Sequence, residues 1–212
     1  MHLNTIKQVL PTLSRALFAG ICIGIAGWGF LANKTVGMFL FIFGLATVVS
    51  YRAKLYTGMA GFVASWNDLW ELLLLVLPAN IFGWALVAWV TRFSPLPLHE
   101  AAHAVLQSRM SVGPLGCGIL AIGCGILMST AVQFARKGKE FGHWVPLLFA
   151  VPLFIHCGFP HCVADAFYFL ACPWSVLGEH AWEILGVYVS IVIGNSVGCN
   201  IYRCILPAEN YE

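Results

Sequence analysis

The sequence is poor in charge. Only 9% of its 212 residues are Asp, Glu, Lys or Arg, whereas a soluble domain carries roughly 25%. So few charged side chains cannot cover a water-facing surface, and a net charge of +2 offers little attraction to an anionic polymer. These values argue against a disordered chain, a nucleic-acid-binding domain and an ordinary cytosolic enzyme. The sequence is instead 60% apolar with a mean hydropathy of +0.84, which is typical of a polytopic membrane protein.

A disulfide framework is also missing. Most of the 8 cysteines, such as Cys22, Cys117 and Cys124, lie inside apolar runs. In such surroundings Cys behaves as a small hydrophobic residue.

Six apolar segments are long enough to cross a bilayer, which requires about 20 helical residues. They are residues 16–32, 36–66, 69–90, 112–135, 144–172 and 180–206. The first lacks a convincing signal-peptide cleavage site and is followed by further apolar segments, so we expect a true span. With the N-terminus inside, basic residues are more frequent in the cytoplasmic segments than in the outer ones. The sequence therefore predicts a multi-pass protein of the cell (inner or plasma) membrane with both termini cytoplasmic.

The first three segments and the last three share the same features in the same order. Each half begins with a glycine-bearing span, continues with an interrupted one, and ends with a span that carries Asn-x-x-Gly. The interruptions are residues 52–58 and 158–161, and the Asn residues are Asn80 and Asn195. Because three is an odd number of spans, the two halves must have opposite orientations. We therefore expect one membrane domain over residues 1–212, with inverted three-helix repeats at 1–93 and 110–208.

The two interruptions indicate a transport site. A broken helix frees backbone N–H and C=O groups, which are tolerated at membrane depth only where they are buried in protein or line a watery cavity. Breaks at matching positions of inverted repeats therefore point to a substrate pathway near the midplane. The plainer interpretation is a pair of packing kinks. We expect Asn80 and Asn195 to brace the broken helices with hydrogen bonds.

The residues at the two breaks resemble a known family. The first break contains Leu55-Tyr56-Thr57, and the second contains Gly158-Phe159-Pro160-His161. With the two Asn-x-x-Gly motifs and the Ala-Gly-x-x-Ile of the first span, they resemble the formate/nitrite/hydrosulfide transporter family. The sequence departs from the family at Lys54, where an acidic residue is common, and at Cys124-Gly125, where Asn is common. These departures concern the identity of the substrate more than the transport role.

This resemblance implies an all-α fold of six transmembrane helices with broken second and fifth helices, arranged as an aquaporin-like hourglass and assembled as a homopentamer. It also implies functional positions. Leu55, Tyr56, Thr57 and His161 match the centre of the pore; Phe41, Leu45 and Phe154 match its constrictions, the first two on the cytoplasmic side; Lys7 and Arg109 match basic residues of the vestibules.

These residue types suit small weak-acid anions such as formate, nitrite or hydrosulfide. An unpaired charge is costly to bury, and protonation of the anion removes most of that cost. Histidine titrates near physiological pH, so a buried His161 either donates the proton or marks the place of protonation. The Thr57 hydroxyl both donates and accepts hydrogen bonds. We expect proton-coupled uptake across the bilayer by a transporter that is not an enzyme and needs no cofactor or metal.

Two other classes of protein remain to be weighed. His99-Glu100-Ala101-Ala102-His103 matches the H-E-x-x-H motif, which places two zinc ligands on one helix face with Glu as general base. It would make the chain an intramembrane zinc metalloprotease. The plainer interpretation is a surface helix that packs through Leu98, Ala102, Val105 and Leu106. A neutral-solute channel of the aquaporin type would need two Asn-Pro-Ala motifs, and the sequence has none.

Overall fold

A computed structural model describes residues 3–138 and 140–205, with side chains from residue 9 onward within these ranges. Every regular element in these ranges is helical. The helices are α1 (Leu3–Ala32), α2 (Lys34–Ser50), α3 (Tyr56–Ala60), α4 (Trp66–Glu71), α5 (Leu77–Val90), α6 (Leu98–Lys137), α7 (Phe141–His156), α8 (Cys162–Leu170), α9 (Trp174–Glu179) and α10 (Ala181–Ile205). A π-helical turn, Leu72–Val76, joins α4 to α5, and a 3₁₀ turn, Thr91–Phe93, follows α5.

Four stretches of the described chain are long and apolar enough to cross a membrane. They are Val9–Ala32, Trp66–Phe93, Leu98–Lys137 and Ala181–Ile205, while Lys34–Ser50 and Phe141–His156 are apolar but shorter. The stretch from Trp66 to Phe93 carries an exposed Trp near each end: Trp66 is 76% exposed and Trp89 is 57% exposed. Aromatic side chains at two levels, separated by a length of apolar helix, are typical of the two interfaces of a bilayer.

The second and fifth predicted spans are both interrupted. The first interruption separates Ser50 of α2 from Tyr56 of α3, and the second separates His156 of α7 from Cys162 of α8. The first is shorter than the predicted 52–58, because the helix resumes at Tyr56, whose N–H donates to the Asn80 side chain. A side-chain acceptor at this position satisfies a donor that would otherwise be unpaired in the first turn.

The fourth predicted span is part of a longer helix. The prediction began it at Val112, whereas α6 begins at Leu98 and bends at Gly113, which has φ +75° and is followed by Pro114. Because glycine adopts this left-handed conformation readily, the bend separates an amphipathic first part of α6 from its apolar remainder. In the first part, Leu98, Ala102 and Leu106 are buried, so the predicted packing face is confirmed there.

Glycine allows two pairs of helices to approach closely. A Cβ atom at Gly83 of α5 would lie 2.6 Å from the carbonyl oxygen of Leu17 in α1. A Cβ atom at Gly198 of α10 would overlap the carbonyl oxygen of Ile122 in α6. Both glycines belong to the Asn-x-x-Gly motifs, so the glycine of each motif brings the Asn-bearing helix close to the first helix of its half. Small residues have this role in many membrane proteins.

Replacement of Gly198 by Ala should therefore separate α10 from α6. We expect a loss of about 1–3 kcal/mol, as for other overpacked interiors, measured as a lower unfolding temperature in detergent. Gly29→Ala is the matched control, because a Cβ atom there has no neighbour within 4 Å and Ala favours a helix over Gly. Equal unfolding temperatures for the two variants would contradict the close approach.

A candidate substrate pathway between two broken helices

Thr57 and His161 meet in the interior of the protein. Each lies at the start of a short helix that follows a break, Thr57 in the first turn of α3 and His161 as the residue preceding α8. Thr57 Oγ1 lies 3.0 Å from His161 Nε2. The two residues are only 1% and 2% exposed. The structure thus brings together the two polar residues that the sequence predicted at the centre.

The second ring nitrogen of His161 has no such contact. Its Nδ1 atom is buried and has no hydrogen-bond partner among the described residues. Unpaired buried polar atoms are rare in proteins and call for a specific explanation. When the Thr57 hydroxyl donates to Nε2, the neutral ring carries its proton on Nδ1 and has an N–H group free for a further acceptor.

Asn80 fixes the backbone at the first break. Its Nδ2 atom donates to the carbonyl oxygens of Ala16 (2.7 Å) and Lys54 (2.9 Å), and its Oδ1 atom accepts from the Tyr56 N–H at 2.9 Å. It is fully buried. The carbonyl and the N–H on either side of Leu55 are therefore both satisfied by one side chain.

Asn195 does the same at the second break. Its Nδ2 atom donates to the carbonyl oxygens of Ala121 (2.8 Å) and Pro160 (3.1 Å), and its Oδ1 atom accepts from the Cys162 N–H at 2.8 Å. It is also fully buried. His161 thus occupies at the second break the place that Leu55 occupies at the first. Both residues have extended backbone, with φ −106° and −126°.

Apolar side chains surround the central pair. The Phe154 ring lies 5.2 Å from the His161 ring, and Phe41 packs edge-on against Phe154 at 6.1 Å between ring centroids. Leu45 and Leu55 are also buried. The family resemblance placed Phe41 with Leu45 at a cytoplasmic constriction; in the structure the Phe41 ring contacts Phe154.

Two cavities open toward opposite ends of α2 and α7. The larger, about 960 Å³, is lined by Leu45 and Leu55 and includes Ser50 and Trp144. The smaller, about 220 Å³, is lined by Phe154 and His161 and includes Lys34 and Ile155. Ser50 ends α2 and Lys34 begins it, while Trp144 and Ile155 lie near the start and the end of α7. The buried layer that contains Thr57 and His161 therefore lies between the two cavities.

Further predicted positions have other partners. The Tyr56 hydroxyl is 2.7 Å from Ser196 Oγ, which ties α3 to α10. The side chain of Lys7 lies outside the described residues. Arg109 lines the small cavity, but its guanidinium is already engaged. It donates through Nε to Asp165 Oδ1 at 3.0 Å and through Nη1 to the Gly158 carbonyl at 2.7 Å.

Two residues of this region were missed by the sequence prediction. Asp165, which is 1% exposed, lines the small cavity together with the exposed Lys34. Asp165 stood out in the sequence as an acidic residue inside an apolar span, and such residues usually mark functional sites. Lys34 gave no signal, because it occupies an ordinary position between two apolar segments.

The H-E-x-x-H segment lines neither cavity and, among the described residues, belongs to no metal-binding cluster. His99 Nδ1 is 2.6 Å from the carbonyl oxygen of Ala171, which follows α8. Within the described residues, no group of three or more His, Cys, Asp or Glu side chains is arranged to hold a metal ion. The structure thus provides no support for a zinc metalloprotease, and it gives His99 a contact that joins α6 to the end of α8.

Glu100→Gln should accordingly leave transport unchanged. Glu100 is the residue that a zinc protease would use as general base, and its side chain is exposed on the first part of α6. We expect initial uptake rates within experimental error of the parent protein in liposomes, with or without a zinc chelator. A large decrease in either condition would mean that this segment participates in the activity.

These features define a helical multi-pass membrane protein with two broken helices and a buried polar centre between two cavities. Residues 3–207 match the model of the family described as "Formate/nitrite transporter", and the chain belongs to this family. No curated protein matches the sequence significantly.

Two solved structures have a similar fold. One, described as "Pentameric formate channel with formate bound", has a TM-score of 0.78 at 22% identity and covers 94% of this chain and 96% of its own. Another, described as "FNT family ion channel", has a TM-score of 0.80 at 18% identity, with coverages of 96% and 93%. The chain is thus similar to channel proteins over nearly its whole length.

Proposed function

We propose that this protein is a channel for small monovalent weak-acid anions such as formate, nitrite or hydrosulfide, and that uptake is coupled to a proton. The observation that carries this proposal is His161, a buried histidine between the two cavities with one ring nitrogen bonded to Thr57 and the other unpaired among the described residues. The similar pentameric channel holds formate. By analogy we propose formate-like substrates and a homopentamer.

The layer around His161 suits an ion that crosses as a neutral acid. Phe41, Phe154, Leu45 and Leu55 are all buried and offer no hydrogen bonds to replace a hydration shell. A bare anion would pay a large desolvation cost among them. The free nitrogen of His161 can hydrogen-bond the anion, and a proton that joins the anion there lowers this cost. His161 and Thr57 are then the polar centre, and the apolar residues on either side reject hydrated ions.

The two Asn residues support an inverted-repeat architecture. Asn80 and Asn195 bind equivalent backbone groups at the two breaks and face equivalent helices, α1 and α6. We therefore propose six spans in two inverted three-helix repeats within one domain, in the lipid bilayer of the plasma membrane, with both termini cytoplasmic. In this orientation the large cavity opens to the cytoplasm and the small cavity opens to the outside.

The first experiment is uptake of radiolabelled formate by purified protein in liposomes, with and without an inward proton gradient. We expect saturable uptake that external acid stimulates and that nitrite or hydrosulfide inhibits. Protein-free liposomes measure the leak of the neutral acid through lipid. If folded protein in liposomes shows no uptake above this leak, and no flux of either competitor, the proposed function is wrong.

A further inference from the structure

The loop that carries His161 is held by a chain of polar contacts that begins and ends within the loop. Asp165 accepts the His161 N–H through Oδ2 at 2.7 Å and the Arg109 Nε–H through Oδ1 at 3.0 Å. Arg109 in turn donates through Nη1 to the carbonyl oxygen of Gly158 at 2.7 Å. One guanidinium group from α6 thus connects the start of this loop, its end and the first turn of α8.

This connection constrains the backbone of His161. Gly158 has φ +68°, a left-handed conformation that ends the helical path of α7 and leaves the following residues without helical hydrogen bonds to fix their direction. On the other side, Asn195 holds the Pro160 carbonyl and the Cys162 N–H. Asp165 holds the His161 N–H, and Arg109 holds the Gly158 carbonyl. An arginine fork can bind two acceptors in a fixed geometry, which the point charge of a lysine cannot do.

The same contacts neutralise the charge of Arg109. Its side chain is 15% exposed and that of its partner Asp165 is 1% exposed, so solvent screens this pair only weakly. A cation paired in this way attracts anions far less than a free one. Lys34, which lines the same cavity, is exposed and has no ion-pair partner among the described residues.

We propose that Arg109 and Asp165 are positioning residues that hold His161 at the centre, and that they leave Lys34 as the uncompensated cation that attracts anions into the small cavity. The proposal rests on the anion-channel function given above. It revises the role of Arg109 from a basic residue of the vestibule to a residue that acts through His161.

Charge variants test the electrostatic half of the proposal. Asp165→Asn keeps an oxygen acceptor for the His161 N–H and leaves the charge of Arg109 uncompensated. We expect the half-saturating formate concentration on the small-cavity side to fall by about fivefold at low ionic strength, and the difference to shrink at high salt. Lys34→Gln should raise the half-saturating formate concentration by a similar factor, and only at low ionic strength. Glu183→Gln is the matched control, because it removes a half-exposed carboxylate that lines neither cavity.

Arg109→Lys tests the positioning half. Lysine keeps the positive charge beside Asp165 but cannot bind Gly158 at the same time. We expect a maximal flux about tenfold lower, with the half-saturating concentration within about twofold of the parent value. The double variant Arg109→Gln/Asp165→Asn removes both charges together. Because no buried charge is left unpaired, it should fold, keep the half-saturating concentration of the parent protein and share the low maximal flux of Arg109→Lys.

The outcomes separate this inference from the proposed function. Absence of formate flux in the parent protein would contradict the function itself. With parent flux present, the inference is wrong if Asp165→Asn behaves like Glu183→Gln at both ionic strengths. It is also wrong if Arg109→Lys raises the half-saturating concentration while the maximal flux stays unchanged, since this would assign to Arg109 the role of attracting the anion.

Discussion

Formate uptake should fall by about tenfold to a hundredfold when His161 is replaced by Asn, because hydrogen bonds to charged groups are worth about 1.5–3 kcal/mol. The amide keeps a polar side chain near Thr57 and Phe154, so the local packing is largely preserved. An amide cannot donate a proton to the anion or take one from it, whereas an imidazole ring can do both. We therefore expect the remaining uptake to lose much of its stimulation by external acid. The measurement is the initial rate of uptake into liposomes over a series of external pH values.

The control for this prediction is His156→Asn. His156 ends α7, is exposed and lies just before the same break, so it tests whether the loss of any histidine in this region has the same effect. Both variants must migrate as the parent assembly on size exclusion. Parent rates and an unchanged pH profile for His161→Asn would eliminate His161 as the polar centre of the pathway.

Replacement of Asn195 by Leu should cause a large loss of stability. Leu has a similar size but cannot bind the Ala121 and Pro160 carbonyls or the Cys162 N–H, which now contact Asn195 at 2.8, 3.1 and 2.8 Å. Each buried group left without a partner costs about 1–3 kcal/mol, so three of them predict a loss of at least about 3 kcal/mol. We expect little folded protein, or an unfolding temperature in detergent well below that of the parent.

Two comparisons make this prediction specific. Asn80→Leu should have a similar effect, because Asn80 makes the equivalent contacts at the first break. Asn33→Ala should cost only about 1 kcal/mol, since Asn33 caps α2 through one exposed bond to the Val36 N–H. If Asn195→Leu were no less stable than Asn33→Ala, the side-chain contacts of Asn195 would not be what stabilises the backbone at the second break.

Much of the fold could be predicted from local signals in the sequence. The low charge and long apolar runs indicated a helical membrane protein, and the family model and solved structures agree. The break before α8 was visible as Gly158 and Pro160, residues that end helices because of their own backbone properties. The break before α3 was located less well, because its end depends on a hydrogen bond from the Tyr56 N–H to the side chain of Asn80, which lies 24 residues further along the chain.

The candidate site was predicted in part. The pairing of Thr57 with His161 followed from motif residues that the family resemblance placed at the centre, and the structure brings them within 3.0 Å. The contact of Phe41 with Phe154 did not follow, because it depends on how α2 packs against α7.

Composition and the positions of Gly and Pro were enough to indicate a membrane protein and to show approximately where its helices break, because these are properties of neighbouring residues. The family resemblance added Thr57 and His161, which the structure brings within hydrogen-bond distance. The pairing of the charges became visible only in the folded chain. Arg109 resembles a free vestibule cation in the sequence, but the fold places it against Asp165, which is 56 positions away along the chain. The effect of a charge on an anion depends on its partners in space, and those partners come from helices that the sequence does not place side by side.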